Sequence, residues 1–356
     1  MPAFNAFTPQ VCRPPMANRI VILLWLALSC SVGSLVQSAT FCPSDAISKL
    51  GEEEVQCNRT PPCIRWSWLT PAKCASMPLD SDWPTHDPVL PRQPDWKDVR
   101  SLLNHFLHGK RLLLVGDSIS NNLYHGLKCE AARAGLRLVE QNDALVTSVV
   151  PTRIGIAGFR VVDTNTTVSI AMDQHAKNTD ALLNFTDVAI VNFGLHFLDD
   201  AAFQAKAHSV FHLMSAFNVR HRGSARRRRL ALYRETSAQS FAGTGAFSNV
   251  SDATCAPMSG DVRETNRVAR FNAEARRHAE AHRPTVPIVP FYDVMAQRSN
   301  LMEERFRCPF VLRKDPKMVC NPDCTHPCIS PTLYSRHVHD IYVSLASVWL
   351  PHKGSL

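Results

Sequence analysis

Serine, aspartate and histidine, the side chains that can share out acyl-transfer chemistry, stand in two short blocks of this 356-residue chain. The first block is Gly116-Asp117-Ser118-Ile119-Ser120-Asn121-Asn122, and the second is Asp323-Cys324-Thr325-His326. A serine hydroxyl becomes a nucleophile when an imidazole takes its proton, and the imidazole keeps the useful tautomer when a carboxylate holds its other nitrogen. Asp323 and His326, three residues apart, can lie on one face of a loop or first helical turn. The proposed order along the chain is therefore Ser118, Asp323, His326.

Such a serine needs an element that exposes it. The apolar run Leu112-Leu113-Leu114-Val115, opened by Lys110 and Arg111 and closed by Gly116, reads as a buried strand. From Ile119 to Ala134, Leu123, Leu127, Ala131 and Ala134 recur at helical spacing. Ser118 is thus expected at a strand-to-helix turn, where its own N–H and the helix start favour developing negative charge. Asp117 is expected to hold the turn by hydrogen bonds. Arg234 follows a strand read over Leu230 to Tyr233. Its guanidinium would either hold a substrate oxygen at the same sheet edge or tie the following loop to backbone carbonyls. His196, after the strand read over Asp187 to Phe193, lines the pocket or is structural. Asn122 joins Arg234 and His196 as a candidate substrate contact.

The rest of the chain alternates in type. Strands are read over Arg137 to Glu140, Phe159 to Val162, Val168 to Met172 and Val286 to Tyr292. Helices are read over Asp98 to His108, Ala201 to Phe217, Val262 to His282 and Leu333 to Leu350. The Val262 to His282 helix is mostly polar and is expected outside the sheet. This alternation predicts an α/β fold, a three-layer α/β/α sandwich around a largely parallel sheet, with reactive groups at the carboxyl ends of the strands. Residues 98–356 form the predicted catalytic domain. Residues 39–97 form a Cys-, Pro- and Trp-rich segment expected to be disulfide-stapled, in which Trp66 and Trp68 either stack on sugar or anchor the segment.

Residues Ile20 to Val36 carry no charge and follow Arg13 and Arg19, the shape of a signal peptide or signal anchor within residues 1–38. The twelve cysteines agree with an oxidising compartment. Ten of them follow the targeting segment and allow up to five disulfides, whose pairing spacing does not fix. Acceptor sequences for N-glycosylation stand at Asn58, Asn165, Asn184 and Asn249. A net charge of +8 resides largely in Arg220-His221-Arg222 and Arg226 to Arg229. No aromatic residues interleave with these, so nucleic acid is excluded as a partner and an acidic glycan is retained. Cys320, Cys324, Cys328 and His326 could be read as zinc ligands, but they lack a Cys-x2-Cys knuckle and His326 has the better role as a base. No metal or bound cofactor is expected.

Across residues 42 to 350 the chain resembles the trichome birefringence-like proteins of the PC-esterase group, within the SGNH superfamily. Cys57 through Arg65-Trp66-Ser67-Trp68 to Cys74 is similar to the segment preceding the family's nucleophile. The Gly116 to Asn122 block matches the nucleophile motif, with Asn121 where Arg is usual. Asn192-Phe193-Gly194-Leu195-His196 is similar to the Asn-x-Gly-His block. Arg234 to Phe241 resembles the Arg, Ser-Pro, His-Phe block, with Ala238 and Ser240 substituted. Asp323 to His326 matches the last block, with Pro327 in place of Trp. The resemblance implies an oxyanion hole built from the Ser118 N–H, Asn192 and a glycine N–H, Gly155 or Gly158. It implies an O-acetyltransferase acting on polysaccharide hydroxyls in the Golgi lumen, type II anchored, or secreted if the N-terminal segment is cleaved. The acyl donor would be a co-substrate such as acetyl-CoA or another acetyl carrier, and membrane contact would come only through the N-terminal segment. The alternatives are an esterase with the same triad and an inactive glycan-binding protein.

Overall fold

The computed structural model describes residues 97–150, 158–221, 228–241, 258–282, 286–296 and 331–350. Shorter pieces are described at 71–75, 95, 245, 255–256, 306–307, 321–322 and 324–327. All of these belong to one compact unit, Arg59–Leu356.

Seven strands form one mixed sheet: β1 (Arg111–Val115), β2 (Leu138–Gln141), β3 (Gly158–Val161), β4 (Thr166–Ala171), β5 (Val188–Val191), β6 (Leu230–Arg234) and β7 (Ile288–Val289). Their order is β2-β3-β4-β1-β5-β6-β7. From β4 to β7 every pairing is parallel, whereas β2, β3 and β4 pair antiparallel. A separate two-stranded piece pairs β8 (Phe306–Arg307) with β9 (Asn321–Pro322).

The helices are α1 (Pro71–Ala75), α2 (Val99–Leu102), α3 (Ser118–Arg133), α4 (Ala144–Val149), α5 (Thr179–Leu183) and α6 (Asp200–His221). After them come α7 (Gly260–Thr265), α8 (Arg267–Ala281), α9 (Tyr292–Ala296) and α10 (Pro331–Trp349). α2 continues as a π-helical turn, Leu103–Leu107.

The central strands are continuous apolar runs because both of their faces are buried. Alternate residues go to two cores. Leu112, Leu114, Val188, Ile190, Leu230 and Leu232 join Leu123 and Leu127 of α3 and Val338, Ile341 and Leu345 of α10. Leu113, Val115, Ala189, Val191, Ala231 and Tyr233 join Phe203, Val210, Phe211 and Met214 of α6. The latter core also receives Phe271 and Ala275 of α8, with the Phe203 and Phe271 rings stacked 4.1 Å apart. The polar helix expected outside the sheet therefore pays its way with one apolar stripe.

Two elements differ from expectation. The Val262 to His282 helix breaks at Asn266, which turns extended and accepts a hydrogen bond from the Ala269 N–H to start α8 afresh. The Val286 to Tyr292 strand shrinks to Ile288–Val289. Pro287 and Pro290 bring no N–H to the ladder, and the buried Glu235 carboxylate takes the Phe291 and Tyr292 N–H groups at 3.0 Å each, which turns the chain into α9.

Register brings the strand exits level. Val115 lies beside both Ala171 and Val191, and Val191 beside Tyr233. The residues that follow β4, β1, β5 and β6 thus emerge along one edge, where parallel α/β sheets gather their reactive groups.

Candidate active site

Ser118 opens α3, and Asp117 makes the turn. The Asp117 carboxylate accepts the Ile119 N–H at 2.9 Å and the Ser120 N–H at 3.4 Å, capping two otherwise unpaired donors of the helix start. Gly116 precedes it in a space with no room for a side chain. An added Cβ would collide with the Ser120 hydroxyl and stand 2.9 Å from the Asn192 carbonyl. Only a glycine lets β1 leave the sheet so close to β5 and fold back into α3.

His326 reaches this turn from 208 residues away. Its Nε2 lies 2.6 Å from Ser118 Oγ, and with the ring proton on Nδ1 the hydroxyl donates to Nε2. Ser118 is half-buried and His326 is 7% exposed. Several contacts hold the His326 loop. The Cys255–Cys324 disulfide ties it to the segment before α7. The Ser240 N–H donates to the Cys324 carbonyl at 2.8 Å, and Gln239 Nε2 donates to Thr325 Oγ1 at 2.9 Å. A second disulfide, Cys74–Cys129, joins α1 to α3. Asp323 and Gly155 lie outside the described residues.

The remaining candidates do not all face the same way. His196 stands beside the site with its outer surface exposed and part of its ring covered. That partial covering is the first cause lowering its pKa; Asp117 works against it, and the neighbouring His175 and His326 rings lower it further. Asn192 is fully buried where β5 ends, with its N–H on the Val115 carbonyl. Its Nδ2 donates to the Arg234 carbonyl at 3.0 Å and lies 3.4 Å from Thr236 Oγ1. The amide expected in the oxyanion hole instead braces the exit of β6, because a buried amide must satisfy its donors at the nearest acceptors. Asn122 is 1% exposed, inside α3, so it does not present itself to substrate as expected. Arg234 is 0% exposed and its Nη2 donates to Ser120 Oγ at 3.3 Å, so its fork is turned into the protein.

Four residues tied to these candidates were not singled out from sequence: His175 beside His196, Ser120 and Phe291 against Arg234, and His337 on Phe291. His175 follows β4, and its ring lies 6.2 Å from that of His196 and 5.5 Å from Phe197. Its loop is folded by Asp173, which accepts the Lys177 and Asn178 N–H groups at 3.0 and 2.6 Å. The available signal was positional, since every residue just past a parallel strand is a candidate. Phe291, two residues past β7, shares that signal once the strand is seen to end at Val289; Ser120 stood within the Gly116 to Asn122 block without a role of its own, and His337, inside α10, carries no such signal.

The zinc alternative meets an obstacle in Cys324, whose sulfur is bonded to Cys255, while Cys320 and Cys328 lie outside the described residues. Among the described residues no three metal-ligating side chains gather, and no helix is long and apolar enough to cross a membrane. No protein-family model and no curated protein matches this chain.

Proposed function

We propose that this chain is an acyl-transferring enzyme of the SGNH type, with the three-layer α/β/α arrangement and a Ser118, His326, Asp323 triad. It would serve as a polysaccharide O-acetyltransferase of the trichome birefringence-like kind. The observation that carries the reading is the 2.6 Å approach of His326 Nε2 to Ser118 Oγ at a helix N-terminus. The division of helices between two cores around one sheet supports the architecture. Two disulfides among the described residues agree with a route through the secretory pathway.

In the first half-reaction Ser118 Oγ attacks the acyl carbonyl of a donor such as acetyl-CoA or another acetyl carrier, and its proton passes to His326 Nε2. The carbonyl oxygen becomes an oxyanion. The Ile119 and Ser120 N–H groups are occupied by Asp117, which leaves the Ser118 N–H and the helix dipole to meet that charge. The tetrahedral adduct collapses, and His326 returns the proton to the departing group. In the second half-reaction a sugar hydroxyl gives its proton to His326 and attacks the acyl-serine; as the acyl–Oγ bond breaks, His326 hands that proton to Ser118 Oγ, which releases the acetylated sugar and restores both residues. Asp323 would hold the imidazole in the required tautomer.

The test is to incubate the full-length chain with a labelled acetyl donor, with and without a panel of oligosaccharides. Acetylated oligosaccharide that disappears in Ser118→Ala is the expected result. Free acetate formed at the same rate whatever the acceptor would assign an esterase instead, and no product of either kind would overturn the reading.

A further inference from the structure

Arg234 ends β6 with a guanidinium buried on every side. A fully buried cation is costly unless charge and hydrogen bonds compensate it. Among the described residues it forms no salt bridge, and its single hydrogen bond runs to Ser120 Oγ at 3.3 Å. The guanidinium carbon lies 4.9 Å from the Phe291 ring centroid. Nε and Nη1 meet no acceptor among the described residues, and Asp117 Oδ2 meets no donor. Burial works against the charge of Arg234; Asp117, ahead of Tyr233 and Tyr334, works in its favour.

What lies behind it supplies no counter-ion. His337 of α10 packs on Phe291 with ring centroids 3.9 Å apart and is fully buried. Burial first, and then the neighbouring Arg234 and Arg336, push its pKa well below the ordinary histidine value, so the ring stays neutral. The ionisable side chains that act on the guanidinium are thus Asp117 ahead of α3, Tyr334 and His337 on α10, and Tyr233 on its own strand. Among these four, Asp117 alone brings a carboxylate.

Neither role open to Arg234 in the sequence fits this placement. A substrate-holding fork would face solvent, and a loop-tying fork would donate to backbone carbonyls. This one donates to the side chain two residues past the nucleophile and answers the carboxylate one residue before it. We propose that Arg234 is a positioning residue for Ser118: through Ser120 and the Asp117 carboxylate it fixes the nucleophile turn and keeps a positive charge on its protein side. The inference rests on the acyl-transfer reading above. Misplacing a reacting atom by about 1 Å costs on the order of a hundredfold in rate, so a turn held from behind is a reasonable use for a costly buried cation.

The test is the labelling kinetics of the full-length chain with a fluorophosphonate, which reacts with an activated serine and gives kinact and KI separately. Far-UV circular dichroism and thermal melting report the fold of each variant. Arg234→Met is expected to lower kinact about a hundredfold with KI within about twofold, and Arg234→Lys, which keeps charge but loses the fork, about tenfold. Ser120→Ala, which removes the contact and leaves the arginine, is expected to fall between wild type and Arg234→Lys. Folded Arg234→Met that labels at the wild-type kinact overturns the proposal, as does a raised KI with kinact kept. Should Arg234→Met not fold, the other two variants decide, and wild-type kinact in both overturns it. A wild-type chain that does not label overturns the acyl-transfer reading and this proposal with it, while a labelled wild type with unaffected variants overturns the proposal alone.

Discussion

At the scale of single residues the proposed chemistry rests on one contact, Ser118 Oγ to His326 Nε2. Ser118→Ala and His326→Gln are each expected to remove acyl transfer almost completely, on the order of a millionfold as in serine hydrolase triads, without loss of secondary structure. Asn192 gives a sharper prediction because its two roles diverge. As a brace for β6, Asn192→Ala leaves the Arg234 carbonyl and Thr236 without their donor and should cost about 1–3 kcal/mol in urea denaturation. As an oxyanion donor its loss would lower the acylation rate by about a hundredfold or more with stability unchanged. The structure predicts the first pattern. The meeting of Ser118 and His326 was legible in sequence because two blocks, each weak alone, point to the same chemistry when taken together. The inward turn of Arg234 and Asn192 was not. Which way a side chain points past a strand depends on neighbours such as Ser120 and Phe291, which are far away in sequence.

At the scale of elements, the site is an agreement between the exits of level parallel strands and one tethered loop. The strands were legible where apolar runs are buried on both faces, as in β1, β5 and β6. β7 was misjudged in length: Pro287 and Pro290 bracket it in the sequence, and the Glu235 carboxylate, a tertiary contact the sequence does not show, takes the N–H groups that follow. The Cys255–Cys324 bond closes a 69-residue separation and holds the residue two before His326. Cys255→Ala with Cys324→Ala should cost about 4 kcal/mol by the chain-entropy account. It should also lower labelling of Ser118 by more than about tenfold, since a freed loop no longer presents the imidazole. Fluorophosphonate labelling beside a melting curve measures both, and full activity in the folded double variant would show that the tether is dispensable. Gly194 is the second constraint. Its φ of 141° and its approach to Thr236 leave no place for a Cβ, so Gly194→Ala should destabilise by about 1–3 kcal/mol and displace the His196 loop.

At the scale of the whole molecule, stability should depend on acid in a defined direction. His337 is held well below its ordinary pKa, and His125 is pushed down to about 4, chiefly by burial and then by Lys128. In the unfolded chain both return to about 6.5. Below that pH the unfolded chain binds protons that the folded chain refuses, so stability is complete above about pH 6.5 and is lost as pH falls, for His125 down to about 4. Each such group contributes about 1.4 kcal/mol per pH unit within its window. Melting temperatures between pH 7.5 and 5 should therefore decline in wild type. His337→Gln, which cannot take up a proton, should flatten part of that decline. An unchanged slope would mean that His337 is not held neutral by burial beside Arg234.

A proton shared between Ser118 and His326 would let Ser118 form an acyl-enzyme. Rapid-quench mass spectrometry of the full-length chain mixed with an activated acetyl ester, followed by peptide mapping, detects that species. One acetyl group is expected on the peptide containing Ser118 within the first turnover, absent in Ser118→Ala and strongly slowed in His326→Gln. An acetyl group that accumulates at the same rate in His326→Gln, or that never forms on Ser118 in the folded wild-type chain, would contradict this expectation.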